Sequence, residues 1–154
     1  MSAPKIITTG HDASGQSVFI PDLEYKVLSP QIGLVYSSGG PVLDVNGNAD
    51  IAAFAAREKT GVMPTEGSAV AVVEWPPSAN SQDSIHRTLS VDIGVIISGQ
   101  IECHLDSGES RLIKQGEVLV QRGTKHYWVN PSATEPARMI AFVLPSKPVE
   151  GAEA

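Results

Sequence analysis

Between residues 84 and 144 the chain is a run of short strand candidates punctuated by glycine turns, and that run limits the fold more than any other feature. The strands fall at 84–90, 93–98, 101–106, 110–114, 117–121, 125–130 and 137–144. The turns between them are Ser98-Gly99, Asp106-Ser107-Gly108, Gln115-Gly116 and Arg122-Gly123. Strands this short and this evenly spaced belong to a sandwich or a barrel, because each must bury one face against a neighbour. A chain of 154 residues is long enough for one domain with a real core.

Within this run, Ser84 to Gly99 (SIHRTLSVDIGVIISG) carries the chemistry. Side chains alternate between the faces of a strand. His86, Thr88, Ser90 and Asp92 then share one face, and Arg87, Leu89, Val91 and Ile93 take the other. A row of four polar groups does not pack a plain core; it lines a wet pocket. A second stretch, Gly116 to Asn130, supplies His126 on another strand, with Trp128 and Asn130 in phase. The two stretches are expected to meet across a small β-barrel.

The N-terminal part reads differently. Residues 4–9 and 16–20 are short edge strands around a turn at Gly10 to Gly15, and 31–38 is a better strand closed by Gly39-Gly40-Pro41. Ala49 to Lys59 is the one convincing helix, with Asn48 to cap it, Gly61 to end it, and Ile51, Phe54 and Ala55 as its apolar stripe. It is expected to cover a barrel opening. Residues 68–74 form a strand stopped by Pro76-Pro77. The expected organisation is one domain: strands and covering helix over 1–67, barrel core over 68–144, and a flexible Pro/Glu/Ala-rich tail over 145–154.

Charge and composition narrow the function. The net charge of −6 argues against nucleic acid or an anionic membrane as partner. Cys103 is the one cysteine, so neither an intrachain disulfide nor a cysteine-based zinc site is available. No apolar run reaches membrane-spanning length, and the first ten residues lack a secretory apolar core. A cytoplasmic protein acting on a small molecule is expected, as a homodimer that covers its exposed edge strands.

The pattern resembles the cupin family of small jelly-roll β-barrels. His86, Thr88, Asp92 and Gly99 stand at the first His, second His, Glu and closing Gly of that family's first motif. Gly116, Gly123, His126 and Asn130 match its second motif, and the resemblance covers about residues 68–144. The segments HRTxSxD and QRGTxHxW are similar to small single-domain cupins common in fungi, some associated with secondary-metabolite pathways. The resemblance implies an all-β single-domain jelly roll with N-terminal edge strands and one short helix. The departures are Thr88 for the second histidine, Asp92 for the glutamate, Asn80 for the opening glycine and Gln121 for the usual proline.

A typical cupin holds a metal with three His and one Glu, whereas this chain offers at most His86, Asp92 and His126. Two His and a carboxylate can still form a facial-triad site, so a weakly bound iron, manganese, zinc or nickel ion and a metal-dependent oxygenase are one reading. Without a cofactor, His86, Asp92 and His126 become an acid–base site, suited to dehydration, decarboxylation, isomerisation or cyclisation of an oxygenated carbonyl or polyketide-like compound. Thr88, Ser90 and Gln121 would then hold substrate oxygens, and Trp128 would form a flat wall. A binding module that turns nothing over is a third reading. Asn130 is expected to fix the turn before Pro131, Arg87 to face outward or an interface, and Glu102 and His104 to lie on the outer surface. Trp75 is expected in the core or an interface, and His11 in a turn without chemical role. Glu74, ending its strand beside the pocket mouth, could go either way.

Overall fold

The structure is a computed structural model that describes residues 3–12, 16–40, 42–57 and 61–149. Its strands are β1 (Ile6–His11), β2 (Ser17–Leu23), β3 (Lys26–Ser29), β4 (Ile32–Ser37), β5 (Ala69–Trp75), β6 (His86–Arg87) and β7 (Ser90–Ser98). β8 (Gln100–Leu105), β9 (Ser110–Lys114), β10 (Val118–Arg122), β11 (Lys125–Val129) and β12 (Ala137–Pro145) follow. Among the described residues one α-helix, α1 (Ala49–Ala56), interrupts them.

A six-stranded sheet in the order β10-β7-β12-β5-β4-β3 faces a four-stranded sheet in the order β6-β11-β8-β9, giving the expected all-β jelly-roll barrel. Ile96, Met139 and Val143 of the larger sheet meet Ile101, Cys103 and Ile113 of the smaller one in the core. β1 and β2 form a separate two-stranded ribbon.

Several boundaries differ from expectation. β3 was not expected; it is four residues long and mixes Lys26 and Ser29 with two aliphatics, too little pattern to read. Gly10 and His11 lie in β1 rather than in the turn, of which residues 13–15 fall outside the described residues. α1 stops at Ala56, where Arg57 turns extended, so Gly61 does not end it. Asn48 occupies the position before the helix in a left-handed conformation, φ 59°, and its side chain makes no capping bond. Phe54 is buried against Tyr36, ring centroids 5.4 Å apart, while Ala55 is exposed. The helix thus seats on β4 through the Phe54 ring and through Asp50, which accepts from the Tyr36 hydroxyl at 2.9 Å. The tail's residues 150–154 lie outside the described residues, but Ser146 is held, its N–H donating to the Leu89 carbonyl at 2.9 Å.

The hairpin between β7 and β8 depends on Gly99, whose φ is +69° and whose added Cβ would press on the Pro136 carbonyl and Ala137. Gly99→Ala is expected to cost about 2 kcal/mol, since it combines left-handed backbone with a backbone clash. A urea midpoint equal to that of the wild type would contradict this. Among the described residues no helix is long and apolar enough to cross a membrane.

Candidate active site

Residues 84 to 99 do not form one strand. The chain leaves the smaller sheet after Arg87, turns at Thr88 and Leu89, and enters the larger sheet at Ser90. The break places His86 on one sheet and Asp92 on the other. Both nevertheless line a single cavity of about 610 Å³ between the sheets. Its floor is opened by small inward residues of the larger sheet, Gly94 and Ala141, and its walls include Trp128, Leu119 and Met139.

Strand pairing assembles the polar cluster. His126 on β11 stands directly opposite His86 on β6, and Gln121 on β10 directly opposite Asp92 on β7. The two imidazoles lie 4.9 Å apart between ring centroids, tilted by 55°. His86 Nδ1 is 2.8 Å from the Ser84 carbonyl and His126 Nδ1 is 3.0 Å from the Thr124 carbonyl. A carbonyl can only accept, so Nδ1 donates in both rings and Nε2 is left as the basic nitrogen. The Gln121 amide nitrogen lies 3.1 Å from His126 Nδ1, 3.2 Å from His126 Nε2 and 3.4 Å from both Asp92 Oδ2 and Thr88 Oγ1. Thr88 Oγ1 also donates to Asp92 Oδ2 at 3.4 Å. Trp128 stacks edge-on to His126 at 5.4 Å and against Trp75 at 5.1 Å, which fixes the cavity's flat wall.

Burial sets the protonation of this cluster. It pushes the Asp92 carboxyl above the ordinary aspartate value, against the opposing pull of the Ser90 and Thr88 hydroxyls and the two imidazoles. His126 is 3% exposed, and the same loss of solvation holds its imidazole below the ordinary histidine value. An acid made weaker and a base made weaker thus share one enclosed space.

The remaining candidates divide. His86, Thr88, Asp92, Gln121, His126 and Trp128 line the cavity together. Ser90 does not: it is buried beside Asp92, where it tunes the carboxylate instead of reaching a substrate. Arg87 corrects the expectation that it faces outward. Its side chain is 14% exposed, lines the cavity, donates to the Gly123 carbonyl at 2.6 Å and lies 3.7 Å from Asp106. The parity rule missed it because the strand ends at Arg87. Glu74 and Trp75 also reach the cavity wall. Glu102 and His104 pair at 2.9 Å away from the cavity, with His104 stacked on Tyr127. Asn130 is structural: its amide nitrogen donates to the carbonyls of Trp75, Pro76 and Glu135.

A metal implied by the family motif does not fit this donor set. Among the described residues no three His, Cys, Asp or Glu side chains converge closely enough to hold an ion. Thr88 withdraws one nitrogen donor, and the Gln121 amide stands between Asp92 and His126.

The family model described as a cupin domain matches residues 71–143. A phomopsin biosynthesis cluster protein D of Diaporthe leptostromiformis is 39% identical over 158 residues, covering 97% of this chain and 82% of that protein. A cupin-domain-containing oxidoreductase of Aspergillus ruber is 37% identical over 144 residues, covering 88% and 69%. A solved Cupin 2 conserved barrel domain protein from Salinispora arenicola aligns with a TM-score of 0.44 at 24% identity, over 50% of this chain and 62% of that one.

Proposed function

The chain belongs to the cupin family, and on that premise we propose that it is a small-molecule enzyme of secondary metabolism, a lyase or isomerase working by His and Asp acid–base chemistry. The reaction class is dehydration, decarboxylation or cyclisation of an oxygenated carbonyl or polyketide-like compound. One observation carries the reading: Asp92, with its carboxyl held toward the protonated form, shares one cavity with two imidazoles that present Nε2. The metabolic setting rests on the relative named for a phomopsin biosynthesis cluster.

For a dehydration the steps balance without a cofactor. His86, the more exposed imidazole, takes a proton from the carbon next to the substrate carbonyl. Protonated Asp92 gives its proton to the departing hydroxyl, and water leaves. The proton on His86 then returns to the Asp92 carboxylate. Thr88 holds a substrate oxygen, and Gln121 Oε1, which is buried without a partner, accepts from a substrate hydroxyl. Trp128 supports the flat part of the molecule.

The expected pH–rate profile has a limb between about 5 and 8, where imidazole titrates. Chelation is expected to leave most of the activity. Stoichiometric iron, manganese, zinc or nickel in the purified protein, with activity lost on chelation and restored by one metal, would replace this reading. The name of the Aspergillus ruber relative favours a second one, oxidation of the same kind of substrate; uptake of an electron acceptor in step with product would select it. Tight binding of a ligand that is recovered unchanged would select a non-catalytic binding module.

We also propose a homodimer. The β1–β2 ribbon joins neither large sheet and leaves Phe19 78% exposed, and a lone two-stranded ribbon is marginally stable without cover. Light scattering is expected to give twice the chain mass; a monomer at high concentration would contradict it.

A further inference from the structure

We infer that the Gln121 side chain is a built-in substitute for a metal ion: its amide nitrogen occupies the point on which the donors of this site converge, and it keeps a divalent cation out. Gln121 is 5% exposed and is placed by strand register directly opposite Asp92. Its nitrogen lies against the His126 ring, 3.1 Å from Nδ1, which is spent on the Thr124 carbonyl, and 3.2 Å from the accepting Nε2, and it reaches Asp92 Oδ2 and Thr88 Oγ1 at 3.4 Å each. These are one imidazole, one carboxylate and one hydroxyl from three different strands or turns, gathered on a single atom.

The chemistry of an amide suits the task. An ion draws lone pairs together with positive charge. An amide NH2 does the same with two polarised N–H bonds, and an imidazole nitrogen, a carboxylate oxygen and a hydroxyl oxygen are all acceptors. The separations are those of hydrogen bonds, about 1 Å longer than the 2.0–2.2 Å of zinc coordination by nitrogen or oxygen. No ion can enter at those coordination distances while the amide is in place. Thr88 completes the argument, because a hydroxyl is a good partner for N–H and a poor neutral ligand for a transition metal. The two departures at positions 88 and 121 are thus a matched pair, one removing a ligand and the other filling the space.

The test uses cobalt(II) as the probe, read by its visible absorption and by calorimetry, with folding checked by circular dichroism. Wild type is expected to bind no cobalt at this site. Thr88→His alone restores the nitrogen donor but keeps the amide, and is expected to bind weakly. Thr88→His with Gln121→Ala is expected to bind cobalt on the order of 10–100-fold more tightly, the scale on which groups around a metal move its affinity. If Thr88→His alone binds as tightly as the double variant, or if wild type binds cobalt and Asp92→Asn abolishes it, the inference fails. Should the double variant not fold, the wild type still decides. In nitrogen-15-labelled protein the Gln121 side-chain NH2 is expected to exchange slowly with water, and Asp92→Ala to accelerate that exchange. Exchange as fast as that of exposed Gln82 would overturn the inference.

Discussion

Asp92→Asn is expected to lower turnover by about 10²–10⁴-fold, the usual contribution of a positioned proton donor, while leaving the protein at neutral pH no less stable. The stability half follows from the direction of the shift. Burial raises the Asp92 value in the folded protein. A raised carboxyl contributes its stability in full below the unfolded value near 3.8, and loses it as pH rises through the folded value. Above the folded value the wild type holds a carboxylate in an unfavourable place, and the neutral amide relieves it. His126 behaves oppositely: its value is lowered from 6.5, so its contribution is present above that pH and is lost on acidification through the folded value. Thermal melts of both proteins from pH 4 to 8 should bring the variant level with or above wild type at the alkaline end. Full activity in Asp92→Asn would make the polar row structural.

Asn130→Ala is expected to be the most damaging single change to the fold among the polar residues discussed. Asn130 is 2% exposed. Its amide nitrogen lies 3.3, 3.0 and 2.9 Å from the carbonyls of Trp75, Pro76 and Glu135, and its oxygen accepts from the Ser132 N–H at 3.0 Å. Truncation strands several backbone groups at once. At about 1–3 kcal/mol for each buried group left unpaired, the loss should reach about 3 kcal/mol. That corresponds to roughly 6–12 °C in melting temperature for a chain of this size. The effect should also reach the site, because the Trp75 backbone held by Asn130 carries the ring on which Trp128 rests. Asn130→Asp keeps the acceptor and loses the donors, so it should show most of the same loss. A melting temperature within 2 °C of wild type, by rough allowance for a neutral change, would refute this.

The strands from residue 100 to 129 were legible because each is bounded by glycine in a left-handed turn, at Gly99, Gly108, Gly116 or Gly123. His86 and His126 were legible as a facing pair, since motif spacing placed both and strand pairing put them opposite each other. The alternation rule failed at Thr88 and Leu89, where the chain changes sheets. Arg87 came into the cavity for that reason. Ser90 kept the predicted phase but was enclosed by its neighbours, which alternation does not encode. Gln121 was expected to contact substrate; its central place depends on the register of β10 with β7, a long-range pairing that no local pattern carries. α1 was legible in kind but not in length, because alanine favours helix without saying where tertiary contacts stop it.

The crossing at Thr88 and Leu89 has a mechanical meaning. His86 and His126 travel with one wall of the barrel, while Asp92 and Gln121 travel with the other. The gap between acid and base is therefore a gauge of how far the two walls stand apart. Ile96 and Ile101, fully buried and outside the cavity lining, act as the spacers that set it. Trimming either spacer should let the walls close or tilt, so catalysis would register a change in packing well before the barrel itself comes apart.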